Sequence, residues 1–283
     1  MRPAGHCAAG GSRQQCRPRP TGSRPLLFLR SLLFNAAFYL GTLLQMIFWT
    51  PVFFFLPHHL AWRVPKSWAR INLRLQQAIT GARFEFRGLE NIPTDRNFIV
   101  AAKHQSAWDT YTLLQFFPDP SYILKRELMY IPLFGWYAAK MRVVPVDRGQ
   151  RSRALADMTA RSAIQFAGNR QIIIYPEGTR TASGAKPAYK YGIAHLYGEL
   201  GAPVLPVAVN AGMFWPRQSF LRHPGLYVME FLPVIEPGLS REAFAAELER
   251  RIETAVAALN RETADSAPQA PVVARLRREG KLA

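Results

Sequence analysis

Two side chains suited to proton transfer, His104 and Asp109, stand in the stretch Lys103-His104-Gln105-Ser106-Ala107-Trp108-Asp109, directly after the apolar run Phe98-Ile99-Val100-Ala101-Ala102. If the aspartate accepts a hydrogen bond from one imidazole nitrogen, the tautomer is set and the other nitrogen is left to take a proton from a hydroxyl, as a general base does. Residues i and i+5 do not share one face of an α-helix, so such a contact needs a bend. The apolar run predicts a short buried strand, and Trp108 to Phe117 predicts a helix that Pro118 ends, which puts the pair at a strand-to-helix turn. The same residues also have a purely structural reading: Ser106-x-x-Asp109 fits a capping box, with His104 as a core histidine.

A second stretch, Ile172-Ile173-Ile174-Tyr175-Pro176-Glu177-Gly178-Thr179-Arg180, predicts a buried strand that stops at a proline and delivers four functional residues to one loop. Such a loop suits an anion. Gly178 permits close backbone approach, Thr179 offers a hydroxyl and an amide, Arg180 can grip a phosphate or carboxylate through two nitrogens, and Glu177 can orient Arg180. Taken alone, it reads first as an ordinary strand-end turn with an exposed arginine. Between the two stretches lie Lys125-Arg126-Glu127-Leu128, Pro132, Gly135 and Val143-Val144-Pro145-Val146-Asp147-Arg148. Lys125 and Arg148 each follow an apolar strand, so both are expected at the same sheet edge as His104 and Arg180, the usual place for a site in α/β folds.

The elements that must position these groups alternate. Candidate strands are Phe98–Ala102, Ser121–Leu124, Arg142–Val146, Gln171–Tyr175, Val204–Val209 and Leu226–Leu232, with helices near Trp108–Phe117, Ser152–Ala167 and Tyr189–Leu200. This pattern predicts an α/β fold, a sheet covered by helices. Phe244, Leu248, Ile252, Ala255 and Leu259 recur at helical spacing and predict an amphipathic closing helix, after which residues 263–283 turn polar and basic and read as a solvated tail. Residues 1–25 are rich in Arg, Gly, Pro and Ser and read as a disordered basic tail. From Ser31 to Trp62 there is no Asp, Glu, Lys or Arg, a run longer than the roughly 20 residues that cross a hydrocarbon core. Residues 26–80 are therefore expected to hold a membrane anchor, spanning or re-entrant, followed by a basic interfacial helix from Arg63, with Trp49, Trp62 and Trp68 at the interface.

A chain of 283 residues with 49% hydrophobic content can bury one sizeable core, expected over residues 81–262. The net charge of +17 predicts attraction to an anionic partner. No nucleic-acid module or cluster of base-stacking aromatics is present, which argues against nucleic acid and for anionic lipid or phosphate. Cys7 and Cys16 are the only cysteines, so there is no disulfide framework.

Taken together and in order, these blocks resemble the glycerolipid acyltransferase family that contains the 1-acylglycerol-3-phosphate acyltransferases. His104 and Asp109 match its His-x-x-x-x-Asp block, Lys125 to Leu128 and Asp147-Arg148 its second block, and Pro176 to Arg180 its Pro-Glu-Gly-Thr-Arg block. Val204–Val209 is similar to its apolar proline block. The resemblance covers roughly Gly81 to Leu232. It implies a mixed sheet in a single acyltransferase domain, held at a membrane, on the cytoplasmic face of the cell inner membrane. It further implies direct transfer of an acyl chain from acyl-CoA or acyl carrier protein to the sn-2 hydroxyl of 1-acyl-glycerol-3-phosphate, with His104 as base and Asp109 orienting it. Glu177, Gly178, Thr179 and Arg180 would hold the phosphate, assisted by Lys125 and Arg148, and neither metal nor cofactor is called for. Two residues depart from the family pattern: Lys103 stands where many members have Asn, and Lys140 or Met141 where many have Gly, which places extra positive charge near the acceptor. Other acceptors within the family (a lyso-ornithine lipid, another lysophospholipid, glycerol-3-phosphate), a hydrolase using His104 on water, and a membrane-tethered binding protein are the alternatives.

Overall fold

In an apolar environment a lone segment satisfies its backbone groups only as a helix, and the uncharged run is helical without a break as far as Phe53. The computed structural model describes residues 24–147, 149, 151–268 and 270–282. In it α1 (Arg24–Phe53) is one continuous helix with Pro51 in its last turn. After a turn and the short α2 (His58–Ala61), α3 (Arg63–Thr80) packs back against α1, Trp68 Nε1 donating to Thr42 Oγ1 at 2.9 Å. Trp62 is buried and Trp68 packs against the core, so these two indoles face the protein rather than an interface. The predicted disordered tail lies outside the described residues except at Arg24 and Pro25, which already belong to α1.

The sheet contains β1 (Ala82–Arg87), β2 (Ile99–Ala102), β3 (Pro120–Lys125), β4 (Val144–Val146), β5 (Gln171–Ile174), β6 (Val204–Val209) and β7 (Gly225–Phe231). Their order is β1-β7-β6-β2-β5-β3-β4. The run from β6 to β4 is parallel; β7 is antiparallel to β6, and β1 is parallel to β7. β2, β5 and β6 are buried at every residue, as strands covered on both faces must be. The six predicted strands all appear; β1, with its partly polar Arg-Phe-Glu-Phe-Arg pattern, is additional.

The helices cover two faces. α4 (Ala107–Leu113) contributes Trp108 and Tyr111 to one core with Phe34 of α1, while α7 (Tyr191–Leu200) and α8 (Arg241–Ser266) contribute Ile193, Leu196, Phe244 and Leu248 to the other. α4 ends earlier than Phe117 because Gln115 and Phe116 donate to carbonyls three residues back, tightening the chain before Pro118. α5 (Phe134–Lys140) and α6 (Arg151–Ala167) complete the parallel crossovers. The reading of residues 263–283 as a solvated tail is wrong. α8 runs through Ser266, and α9 (Pro271–Arg278) buries Val272, Val273 and Leu276 while Arg275 donates to the Ser183 carbonyl at 2.9 Å. The spacing of these three apolar residues puts them on one helical face, which the basic residues between them obscured.

Candidate active site

Because β2, β5, β3 and β4 are parallel neighbours, their C-terminal ends share one edge of the sheet. β2 delivers Lys103 and His104 to that edge. The next residues turn into α4 through a full capping box: the Ser106 hydroxyl accepts from Trp108 N–H, and Asp109 reaches back to accept from the N–H groups of Gln105 at 2.6 Å and Ser106 at 2.7 Å. The same Asp109 oxygen, Oδ2, lies 3.3 Å from His104 Nδ1. The capping and catalytic readings of Asp109 are thus one arrangement: holding the helix start also aims the carboxylate at the imidazole. Asp109 is fully buried, and its Oδ1 has no partner among the described residues.

A carboxylate oxygen can only accept, so in the neutral imidazole the proton between the two residues sits on Nδ1 and Nε2 keeps its lone pair. The His104 ring also stacks on Tyr175, centroids 4.0 Å apart at 22°. Burial pushes the Tyr175 phenol well up, so it stays protonated and serves as a flat neutral wall. With the side chain of His104 only 13% exposed, its orientation is set from both sides.

The loop after β5 lies against this turn. Gly178 has φ +67°, the left-handed conformation that favours glycine, and its N–H donates to the Tyr175 carbonyl at 2.8 Å. Glu177 is buried. Its carboxylate takes Lys103 Nζ at 2.6 Å, Thr181 Oγ1 at 2.6 Å and His104 N–H at 3.1 Å. It clamps the two stretches together, and Thr181 N–H completes the clamp on the His104 carbonyl at 2.8 Å. Thr179 and Arg180 are exposed at the tip.

Lys103 is 3% exposed and also pairs with Glu253 of α8 at 2.7 Å. Buried between two carboxylates, it adds no unpaired positive charge beside His104. Its role, like that of Thr181, had no signal in the sequence, because both depend on strands brought together from distant positions. Lys140, the other departure, donates to the Phe54 carbonyl at 3.0 Å beyond the end of α1.

Lys125 ends β3 at the same edge but pairs with Glu127 at 2.9 Å. Two strand spacings separate β3 from β2, about 10 Å. Arg148 lies outside the described residues; its neighbour Asp147 pairs with Arg126 at 3.2 Å. A groove of about 950 Å³ between α7 and α8, lined by Tyr189, Ile193, Glu249 and Glu253, adjoins the site through Glu253, which pairs with Lys103, and through the Tyr189 ring, 5.9 Å from Lys103 Nζ.

Residues 83–210 match the family model described as Acyltransferase. The chain is 36% identical to the 1-acyl-sn-glycerol-3-phosphate acyltransferase of Pseudomonas aeruginosa over 223 residues, covering 78% of this chain and 84% of that one. It is 29% identical to a chloroplastic 1-acyl-sn-glycerol-3-phosphate acyltransferase of Brassica napus, of whose length it spans 50%. Among solved structures, the 1-acyl-sn-glycerophosphate (LPA) acyltransferase PlsC of Thermotoga maritima superposes with a TM-score of 0.69 at 27% identity, covering 82% of this chain and 97% of that one. The chain belongs to this acyltransferase family.

Proposed function

We propose that this enzyme acylates the free sn-2 hydroxyl of 1-acyl-sn-glycerol-3-phosphate, giving phosphatidate for phospholipid synthesis. The observation that carries the reading is the His104 imidazole, held through Nδ1 by Asp109 with Nε2 free, beside the exposed Arg180 loop. The names of the relatives supply the substrate class.

In the reaction, His104 Nε2 takes the hydroxyl proton as that oxygen attacks the thioester carbonyl. The carbon–sulfur bond breaks, and the proton passes from His104 to the departing thiolate, so no acyl-enzyme forms. The donor is acyl-CoA or acyl carrier protein. Arg180 grips the acceptor phosphate; Gly178 and Thr179 shape the backbone around it. Glu177 serves as a positioning residue rather than a phosphate ligand, and Lys125 and Arg148 assist with that phosphate or with the phosphates of the thioester donor. A general base is worth about 10²–10⁴-fold; positioning supplies much of the rest. The thioester is already activated, so this step calls for no metal or cofactor.

The long apolar helix supports membrane attachment: from Ser31 to Phe53 it carries no charged residue, and along its length Ser31, Phe34, Asn35 and Phe53 alone are buried. α1 is tied to the domain near both ends, with Ser31 bonded to Arg222 N–H at 2.9 Å and Phe53 stacked on Tyr137 at 4.0 Å. A helix fastened this way lies along one leaflet rather than crossing it, with Leu33, Leu40, Leu44 and Phe48 turned to lipid. The cytoplasmic face is the side on which thioester donors are made, and basic surface there meets anionic lipid.

The test is acyl transfer by protein in vesicles with oleoyl-CoA or acyl carrier protein as donor, and lysophosphatidate, lyso-ornithine lipid or no acceptor. Wild type should form phosphatidate, and His104→Ala should lose at least about 10²-fold in kcat while remaining folded. Retained turnover in that variant sinks the general-base assignment; preference for lyso-ornithine lipid renames the acceptor.

A further inference from the structure

The connection from β6 to β7 passes over the same sheet edge as His104, and it is fastened at both ends. At its start Gly212 N–H donates to Gln105 Oε1 at 2.9 Å, directly behind His104. At its far end Asn35 of α1 donates to the Phe220 carbonyl at 2.9 Å, Arg222 N–H donates to Ser31 Oγ at 2.9 Å, and Phe28 packs on Phe220 with centroids 5.3 Å apart. The loop therefore bridges the apolar helix and the catalytic turn. Between its two anchors Ser219 N–H closes a tight turn on the Pro216 carbonyl at 3.2 Å, with Gln218 at φ +60°. Arg217 stands in that turn.

Arg217 is exposed, and NH1 of its guanidinium donates to the Arg180 carbonyl at 3.1 Å. The next amide, Thr181 N–H, donates to the His104 carbonyl at 2.8 Å. Across these links and one peptide unit, Arg217 lies within about 8 Å of the His104 backbone. Among the described residues no carboxylate pairs with Arg217 or with Arg180, whereas Lys125 is neutralised by Glu127. With one nitrogen fixed on a carbonyl, the plane of the fork is set and its other N–H groups remain available to an anion.

We infer that Arg217 is a second cation of the acceptor site, gripping with Arg180 the phosphate monoester of the lysolipid. This rests on the acyltransferase reading above and names what would make the site selective. A phosphate monoester carries about −1.5 to −2 charge at neutral pH, and two arginines match it. A phosphodiester head group carries one negative charge and needs only one of them. The loop's anchorage on α1 puts Arg217 between the lipid-facing helix and the base, where a head group leaving the leaflet arrives first.

The test compares wild type, Arg217→Ala and Arg217→Lys in vesicles of fixed composition, with lysophosphatidate or lysophosphatidylglycerol as acceptor and oleoyl-CoA as donor. Loss of charge-assisted hydrogen bonds predicts a lysophosphatidate KM raised roughly 10–100-fold in Arg217→Ala and less in Arg217→Lys. The kcat, the donor KM and vesicle binding should stay within about twofold, and preference for monoester over diester acceptor should fall. An unchanged lysophosphatidate KM overturns the inference. So does a rise confined to the donor KM, or a loss of vesicle binding that accounts for the whole effect. Failure of wild type to acylate lysophosphatidate at all is a different result, and it sinks the proposed function itself.

Discussion

One oxygen of Asp109 accepts from the N–H groups of Gln105 and Ser106 and meets His104 Nδ1, and its capping role can be separated by measurement from the orienting role proposed for it. Removing the carboxylate in Asp109→Ala leaves the buried N–H groups of Gln105 and Ser106 without an acceptor and frees His104 Nδ1. The first loss should cost about 2 kcal/mol or more in denaturant unfolding. The second should lower kcat while leaving the acceptor KM near its wild-type value. His104→Ala, by contrast, removes the proposed base without touching the cap, so kcat should fall at nearly unchanged stability. A drop in stability for Asp109→Ala with wild-type kcat would leave the capping role and remove the orienting one. Glu177 shows the same economy in another form: a residue read in the sequence as part of an anion loop is spent on Lys103, Thr181 and the His104 amide.

At the scale of elements, the strand-end geometry was legible and the clamps were not. Three isoleucines before Pro176 announce β5, and alternation of apolar runs with helical spacing announces most of the sheet, because both signals are local. The order β6-β2-β5-β3-β4 and the reach of Lys103 to Glu253 across 150 positions are not local, and no short window of sequence encodes them. α9 was missed for a related reason: Val272, Val273 and Leu276 form a stripe too short to stand out among arginines until α8 and Ser183 give it a surface. The β6–β7 loop carries a pH dependence. Burial holds the His223 imidazole below its ordinary value of 6.5, so the unfolded chain takes up a proton that the folded one resists. The stability this histidine contributes is therefore full above pH 6.5 and is lost as the pH falls through the folded value. Thermal unfolding between pH 7.5 and pH 5 should show a declining Tm that flattens in His223→Asn; equal slopes for the two proteins would remove His223 as a cause.

For the whole molecule, the question is how a basic chain with an apolar flank meets a bilayer. Leu40 and Leu44 are 57% and 56% exposed on α1, away from the residues that pack on the domain. Leu40→Asp combined with Leu44→Asp should leave the fold intact by circular dichroism and sharply reduce flotation with vesicles. Binding that survives the double substitution would transfer attachment to basic surface alone, where added salt would release it.

The fastening of α1 at Ser31 and again at Phe53 has a kinetic consequence. A 30-residue helix is about 45 Å long, and with both ends strapped to the domain it cannot swing. On the membrane seating proposed above, the height of His104 over the leaflet is fixed by these two fastenings, and encounters with the lipid acceptor are expected to take place in two dimensions. Turnover should then follow the mole fraction of acceptor within the leaflet rather than its bulk concentration, so that added inert lipid lowers the rate and dilution with buffer leaves it unchanged.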